Sequence, residues 1–146
     1  MFRKKTIRVP AFKTIQENQA FVLMPFKPDL KPVYEDHIKT TMEKLGYKCF
    51  RADGIFSNKP IMDDVIDAVQ RAYIIISDLT DGNPNVFYET GYCHALNKKV
   101  ILITQHDEVP FDLKSIRHIR YEFTPRGMKE FENKLEKTVE TIVNNE

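Results

Sequence analysis

Cysteine is scarce in this chain, with Cys49 and Cys93 as its two examples and no Cys-x-x-Cys pair. Neither a disulfide framework nor a zinc site built on paired cysteines is therefore indicated. The chain also has no apolar run near the roughly 20 residues that a membrane span needs, and no signal-peptide core. We expect a cytoplasmic protein without a membrane partner.

An excess of charge of one sign is also absent. The formal net charge is +1 at pH 7, and the basic residues are scattered along the chain. Because phosphate neutralisation drives binding to nucleic acids, this distribution argues against a nucleic-acid partner. A length of 146 residues favours one domain with a single core. We assign residues 1–18, which are basic and irregular, to an N-terminal arm and residues 19–146 to the domain.

The most informative stretch covers residues 72–105 and predicts one βαβ unit. Residues 73–77 form a β-branched apolar run, as expected of a strand that is covered on both faces. Asp78 follows this run, where the strand ends and a carboxylate would reach the rim. The turn that follows is rich in turn-forming residues, with Asn83 as a helix cap and Pro84 in the first helical turn. A helix carrying Glu89 and a strand at 99–104 complete the unit.

The remaining segments alternate in the same way. Strands are predicted at 19–26, 47–52 and 118–123, and helices at 33–45, at 61–71 and from about 124 onward. Five strands alternating with helices predict a doubly wound parallel α/β sheet, and the order 2-1-3-4-5 is the common one for this length.

Asp78 and Glu89 are the candidate catalytic residues. In open parallel sheets the ligand crevice lies beyond the carboxyl ends of the strands. Asp78 is predicted at such an end, and Glu89 about one turn into the next helix, so that two carboxylates could bracket a small substrate. Asn83 and Asn85 lie at the start of that helix, where free N–H groups favour anions.

Other readings of these residues stay open at this point. Glu89 is also compatible with a surface carboxylate that pairs with a lysine, and Asp78 with a cap of its turn. Asn83 and Asn85 fit structural roles as a cap and a turn residue. Asp53, after the second strand, and Gln105, after the fourth, are further candidates for ligand contact at the same edge.

The central stretch, ISDLT-x-x-NPNVFYE-x-GY-x-HAL-x-K-x-V-ILIT, preceded by the strand FVLMPF, resembles the nucleoside 2-deoxyribosyltransferase-like superfamily. It looks closest to short nucleotide-binding proteins described as TIR-like. The resemblance implies a flavodoxin-like fold and cleavage of the N-glycosidic bond of nucleosides or nucleotides. It also implies a homo-oligomer, since related enzymes often complete their sites across a subunit boundary. No metal is expected, because no cluster of His, Cys and Asp residues has the spacing of metal ligands, and we expect no cofactor.

Carried over by position, Glu89 matches the nucleophile of that family and Asp78 its strand-end Asp. Asn83 stands where many members have a second Asp, and an Asn cannot act as an acid or a base. This departure favours glycosidic hydrolysis over the specific transferase reaction. At the end of the first strand, Pro25 and Phe26 belong to a Met-Pro-Phe loop, in which Phe26 would stack on a base.

Three functional hypotheses follow. The first is a nucleoside or nucleotide N-glycosidase with Glu89 as nucleophile and Asp78 as its polar partner. The second is a TIR-like effector that cleaves NAD with the same Glu. The third is a non-catalytic nucleotide-binding or assembly module, which the Asn at position 83 supports. In each case the partner is a small molecule: a nucleoside, a nucleotide or NAD.

Overall fold

The computed structural model describes residues 13–55, 60–109 and 116–145. Within these residues a five-stranded, all-parallel sheet has the order β2-β1-β3-β4-β5, which confirms the predicted topology. The strands are β1 (Gln16–Leu23), β2 (Lys48–Arg51), β3 (Ala72–Asp78), β4 (Lys99–Thr104) and β5 (His118–Arg120).

Helices cover both faces of the sheet. A π-helical segment (Val33–Ile38) continues directly into α1 (Lys39–Lys44), and short 3₁₀ turns follow β2 (Ala52–Gly54) and β3 (Thr80–Gly82). The other helices are α2 (Ile61–Arg71), α3 (Pro84–Ala95) and α4 (Pro125–Asn144). Helix α2 and strand β4 have the bounds that the sequence predicts.

Three strand boundaries differ from the prediction. β1 runs from Gln16 to Leu23, whereas residues 19–26 were expected. Its end follows from pairing, because Leu23 pairs with Ser77 and Pro25 has no N–H to donate to a ladder. The edge strands β2 and β5 are shorter than predicted, since each has one neighbouring strand that can hold it.

Residues 1–12 of the predicted N-terminal arm lie outside the described part of the chain. Residues 16–18, which were assigned to the arm, belong to β1 instead. Lys13 is tied to the end of α2, since its backbone N–H donates to the side-chain oxygen of Gln70 at 3.1 Å. The end of the arm is therefore part of the domain.

β3 crosses the middle of the molecule, and its side chains alternate between two apolar cores. Ile74 and Ile76 pack in the layer of α1 and α4, together with Leu135. Ile75 packs on the opposite face, in the layer of α2 and α3, together with Val69. This alternation also decides which face of the sheet receives the polar residues at the end of the strand.

None of the helices in the described part of the chain is long and apolar enough to cross a membrane. The 20-residue helix α4 illustrates the reason, because it buries one row of side chains, including Phe131, Leu135 and Val139, and carries charged residues elsewhere. Its apolar row belongs to the core of the domain.

Gly127, in the first turn of α4, provides a test of this packing. A Cβ at this position would lie 2.2 Å from the carbonyl oxygen of Glu122 and 2.9 Å from Thr124 Oγ1. We expect Gly127→Ala to lower the free energy of unfolding by about 2–3 kcal/mol in urea denaturation, because backbone has to move.

The matched control is Gly91→Ala in α3, where a Cβ would meet nothing within 4 Å. This control should leave stability unchanged or raise it by about 0.5–1 kcal/mol, since Ala is the better helix former. Equal stabilities for the two variants would contradict the packing described at the start of α4.

Candidate active site

A cavity of about 170 Å³ opens at the carboxyl end of β1 and at the beginnings of α2 and α3. Its apolar wall comes from the end of β1, the turn after β2 and the first turns of α2, and includes Pro25, Phe26, Ala52, Ile61 and Val65. Its polar groups come from the start of α3, and these are Asn83, Asn85 and Glu89. The structure therefore brings together five of the eight predicted site residues.

The start of α3 is built by the predicted cap. Asn83 Oδ1 accepts the backbone N–H groups of Asn85, at 2.9 Å, and of Val86, at 3.3 Å, while Pro84 occupies the first turn. The structural reading of Asn83 is thus confirmed, because its side-chain oxygen serves the helix. Asn85 is exposed at the edge of the cavity.

A hydrogen bond between two buried hydroxyl groups sets the rotation of α3 about its own axis. This pair was not predicted from the sequence. Thr90 Oγ1 donates to the carbonyl of Val86 and lies 2.6 Å from Ser77 Oγ on β3. Because Ser77 and Thr90 join the helix to the sheet, the preceding residue, Glu89, is directed along the helix flank toward the cavity. The signal in the sequence was weak, since Ser and Thr are common in both strands and helices.

Glu89 is half-buried in the cavity wall. Burial raises the pKa of its carboxyl group above the ordinary value of 4.5. Within residues 13–55, 60–109 and 116–145, no side chain donates a hydrogen bond to this carboxylate or forms an ion pair with it. The reading of Glu89 as the partner of a surface lysine therefore finds no support in the described residues.

Asp78 lies on the other face of the sheet, and the expectation that its carboxylate reaches the rim is wrong. It has no exposed surface, because strand alternation directs it into the layer of α1 and α4, under Tyr121. The carboxylate accepts hydrogen bonds from the Thr80 N–H at 3.0 Å, the Thr80 hydroxyl at 2.5 Å and the Tyr121 hydroxyl at 2.6 Å.

These contacts define Asp78 as the anchor of its turn. Burial raises the pKa of the Asp78 carboxyl group, and the donors Thr80 and Tyr121 oppose that rise. The reading of Asp78 as a turn cap is confirmed by the bond from the Thr80 N–H. The structure does not place Asp78 and Glu89 in one crevice.

Gln105 belongs to the Asp78 network rather than to the Glu89 cavity. Its backbone N–H donates to Thr80 Oγ1 at 3.1 Å, and its side-chain amide donates to the Tyr121 hydroxyl at 3.3 Å. The hydroxyl groups of Thr80 and Tyr121 thus each accept a hydrogen bond from Gln105 and donate one to Asp78. This relay joins the ends of β3, β4 and β5.

Asp53, the remaining predicted residue, is engaged by the end of β2. Its two carboxylate oxygens accept from Arg51 Nε at 2.8 Å and from Arg51 Nη2 at 2.5 Å. Arg51 is 5% exposed, whereas the neighbouring Ala52 lines the Glu89 cavity. Asp53 therefore faces a buried cation beside the cavity wall.

A second cavity, of about 620 Å³, lies at the ends of β3 and β4 and was not predicted. Lys27 Nζ pairs there with Asp81 at 2.9 Å, and the Asp81 N–H donates to His106 Nε2 at 2.9 Å. Because His106 Nε2 accepts this hydrogen bond, a neutral His106 ring carries its proton on Nδ1. His106 Nε2 also lies 3.5 Å from Asp81 Oδ1, but a neutral ring forms no ion pair with that carboxylate. Lys27 lowers the pKa of Asp81.

The smaller cavity is the better candidate for a reaction, although the other one has more than three times its volume. A nucleophilic carboxylate has to be free of strong partners, and Glu89 meets this condition among the described residues, whereas Asp81 is neutralised by Lys27. In the part of the chain that the structure describes, no group of three His, Cys, Asp or Glu residues could hold a metal ion.

The sheet order and the helices on both faces define a flavodoxin-like α/β fold.

No protein-family model and no curated protein matches the chain. Among solved structures, CMP N-glycosidase BcmB of Clostridium botulinum is similar with a TM-score of 0.66 and 20% identity, over 82% of this chain and 98% of that one.

Two further structures share the fold. A 2-deoxyribosyltransferase of Leishmania mexicana has a TM-score of 0.58 and 16% identity, over 80% of this chain and 97% of its own. The TIR domain of the Toll-related receptor TRR-2 of Hydra magnipapillata has a TM-score of 0.65 and 14% identity, over 86% of this chain and 99% of its own. At these identities the likeness establishes the fold, and it confirms the fold that the sequence resemblance implied.

The Asp78 network can be tested with Tyr121→Phe, which removes the hydroxyl that donates to Asp78 Oδ2. We expect the free energy of unfolding at neutral pH to fall by about 1.5–3 kcal/mol, because a buried carboxylate loses one donor. The loss should shrink as the pH falls through the raised pKa of Asp78, since a protonated carboxyl group needs that donor less.

Urea denaturation at a series of pH values measures both effects. The control is Tyr88→Phe, the same change on a side chain that is 64% exposed, which should leave stability unchanged. A Tyr121 variant as stable as the wild type would show that the relay does not hold Asp78.

Proposed function

We propose that this protein cleaves the N-glycosidic bond of a nucleoside or nucleotide, with Glu89 as the nucleophile. The observation that carries the proposal is the Glu89 carboxylate itself, which is half-buried in a cavity at the carboxyl edge of a parallel sheet. It lacks a hydrogen-bond donor or cation among the described residues. Such a group is available to attack a sugar carbon.

In the proposed reaction the Glu89 carboxylate attacks C1′ of the sugar through an oxocarbenium-like transition state. The bond from C1′ to the base nitrogen breaks, and the base leaves with that electron pair and takes up a proton from solvent water. A glycosyl ester on Glu89 then reacts with water or with a second base, which gives hydrolysis or deoxyribosyl transfer. Asp78 acts in this proposal through the turn that it anchors, because it lies on the opposite face of the sheet.

The residues that line the cavity support a nucleoside. Phe26 is 58% exposed at its mouth, and a flat aromatic face suits stacking with a base. Pro25 precedes Phe26 in the cavity lining, and Asn85 offers a side-chain amide to the same cavity. Two of the structures with the same fold are an N-glycosidase and a 2-deoxyribosyltransferase, which supports this class of reaction.

The likeness to a TIR domain supports a second candidate, the cleavage of the nicotinamide–ribose bond of NAD by the same Glu89. A non-catalytic nucleotide-binding module is the remaining alternative. We also propose a cytoplasmic homo-oligomer. Exposed apolar side chains support assembly, since Ile61 in the cavity wall is 77% exposed and Tyr88 of α3 is 64% exposed.

A base-release assay with Glu89→Gln tests the nucleophile. The wild type should release a base from at least one member of a panel of nucleosides, deoxynucleosides, their monophosphates and NAD, read by chromatography. We expect Glu89→Gln to reduce this rate by at least about 1,000-fold, because the covalent step loses its nucleophile. Glu140→Gln, the same change on the exposed surface of α4, should keep full activity.

The outcomes separate the candidates. Release of a purine or pyrimidine that depends on Glu89 supports the N-glycosidase, and release of nicotinamide alone supports the NAD-cleaving candidate. Full activity in Glu89→Gln would end both mechanisms. Nucleotide binding by folded protein without any turnover would favour the binding module.

The pH dependence provides a further test. Glu89 has to be ionised to attack, and burial raises its pKa above 4.5, so kcat/KM should increase with pH to a plateau, with a midpoint above 4.5. The same shift means that ionising Glu89 disfavours the folded state. Glu89 should therefore contribute a decrease in stability as the pH rises from 4.5 through its raised pKa, and this contribution should be absent in Glu89→Gln, whereas the contribution of Asp78 remains in both proteins.

Thermal unfolding between pH 4 and 7 measures that difference independently of activity. Melting temperatures of the wild type and Glu89→Gln should converge at low pH, where Glu89 is protonated and resembles Gln. Parallel curves over the whole range would show that Glu89 has an ordinary pKa.

A further inference from the structure

Arg51 ends the edge strand β2 in an unusual setting for a cation. It is 5% exposed, and its guanidinium carbon lies 4.7 Å from the ring centroid of Tyr34 and 5.2 Å from that of Phe26. One edge of the guanidinium group, Nε and Nη2, donates to both carboxylate oxygens of Asp53. Aromatic faces and a bidentate carboxylate thus hold the group in one orientation.

The other edge of the guanidinium group is unsatisfied. Arg51 Nη1 is buried and has no hydrogen-bond partner in the part of the chain that the structure describes. A buried donor without an acceptor costs free energy, and native structures rarely keep one without a reason. Because the other edge and both ring contacts fix the group, Nη1 cannot turn away to find an acceptor.

The position of Arg51 relates this donor to Glu89. Phe26 and Ala52, which contact or adjoin Arg51, also line the Glu89 cavity, so that Arg51 stands directly behind the cavity wall. Of the two rings on the guanidinium, Tyr34 is 8% exposed and Phe26 is 58% exposed. Phe26 is therefore the solvent-side neighbour of Arg51, and a movement of this ring would open a path from the cavity to the guanidinium group.

We propose that Arg51 binds the 5′-phosphate of the substrate, so that the protein acts on a nucleotide in preference to a nucleoside. With the sugar at Glu89, the Phe26 ring moves outward with the base stacked on it, and a phosphate ester then takes its place beside the guanidinium group and accepts a hydrogen bond from Arg51 Nη1. Arginine suits this role, because its fixed fork of donors matches phosphate oxygens. Asp53 holds the group in place and weakens its charge until the phosphate arrives. The inference rests on the proposed function, since it assigns the phosphate to a substrate that reacts at Glu89.

Ribose 5-phosphate and ribose are the probes, because neither has a base to release and binding is then measured without turnover. Calorimetric titration of the wild type should show ribose 5-phosphate binding at least about 10-fold more tightly than ribose, as expected of charge-assisted hydrogen bonds. Arg51→Met should abolish this preference. Arg120→Met is the matched control on the opposite edge strand, β5, and should retain it.

Asp53→Asn keeps Arg51 and removes the carboxylate that neutralises it. This variant should bind ribose 5-phosphate several-fold more tightly than the wild type, because the phosphate no longer competes with a nearby negative charge. A solely structural ion pair predicts no such gain. The Asp53 variant therefore decides the matter if Arg51→Met fails to fold.

The proposal is overturned if the wild type binds both sugars equally, if folded Arg51→Met keeps the preference, or if Asp53→Asn shows no gain. Inorganic phosphate, as a further probe, should bind more weakly than ribose 5-phosphate, since it lacks the sugar contacts. Preference for the phosphate through Arg51, without release of a base from any nucleotide, would support this site and count against the glycosidase. Base release by a protein that binds ribose and ribose 5-phosphate equally would support the glycosidase and count against the phosphate site.

Discussion

Successive side chains of a β-strand point to opposite faces of the sheet, and in β3 this constraint separates the two polar residues that end the strand. Ser77 turns toward α3 and meets Thr90, whereas Asp78 turns toward the layer of α1 and α4 and meets Tyr121. The candidate site is therefore made of one carboxylate, Glu89, with its surroundings. The second carboxylate belongs to the scaffold, and any chemistry at the cavity has to proceed without its direct contact.

Each face of the sheet consequently has its own hydrogen bonds at the carboxyl edge. On one face, Asp78, Thr80, Gln105 and Tyr121 join the ends of three strands through a chain of hydrogen bonds. On the other face, the hydroxyl pair of Ser77 and Thr90 fixes the helix that carries Glu89. The two buried carboxylates differ in their hydrogen bonds. Three donors offset the cost of burying Asp78, whereas the half-buried Glu89 carboxylate has no donor among the described residues.

Much of the fold could be predicted from the sequence, because its strongest signals are local. The bounds of α2, the strand β4 and the Asn83 cap follow from periodicity and capping chemistry, and the sheet order follows from alternating elements. The face occupied by Asp78 could not be predicted, because a strand buried on both faces shows no alternation of polar and apolar residues. The setting of Arg51 depends on Phe26 and Tyr34, which only the tertiary fold brings to it.

The bond between Ser77 and Thr90 has a consequence for how such a site could diversify. Glu89 is positioned from the sheet, through the Ser77–Thr90 bond on the helix flank, whereas the exposed residues Asp81 and Gly82 of the turn after β3 line the larger cavity. Insertions or exchanges at those two residues would reshape the larger cavity while the Glu89 carboxylate kept its place. The shape of the larger cavity and the placement of Glu89 are thus separable traits in this architecture, and one could drift while the other was conserved.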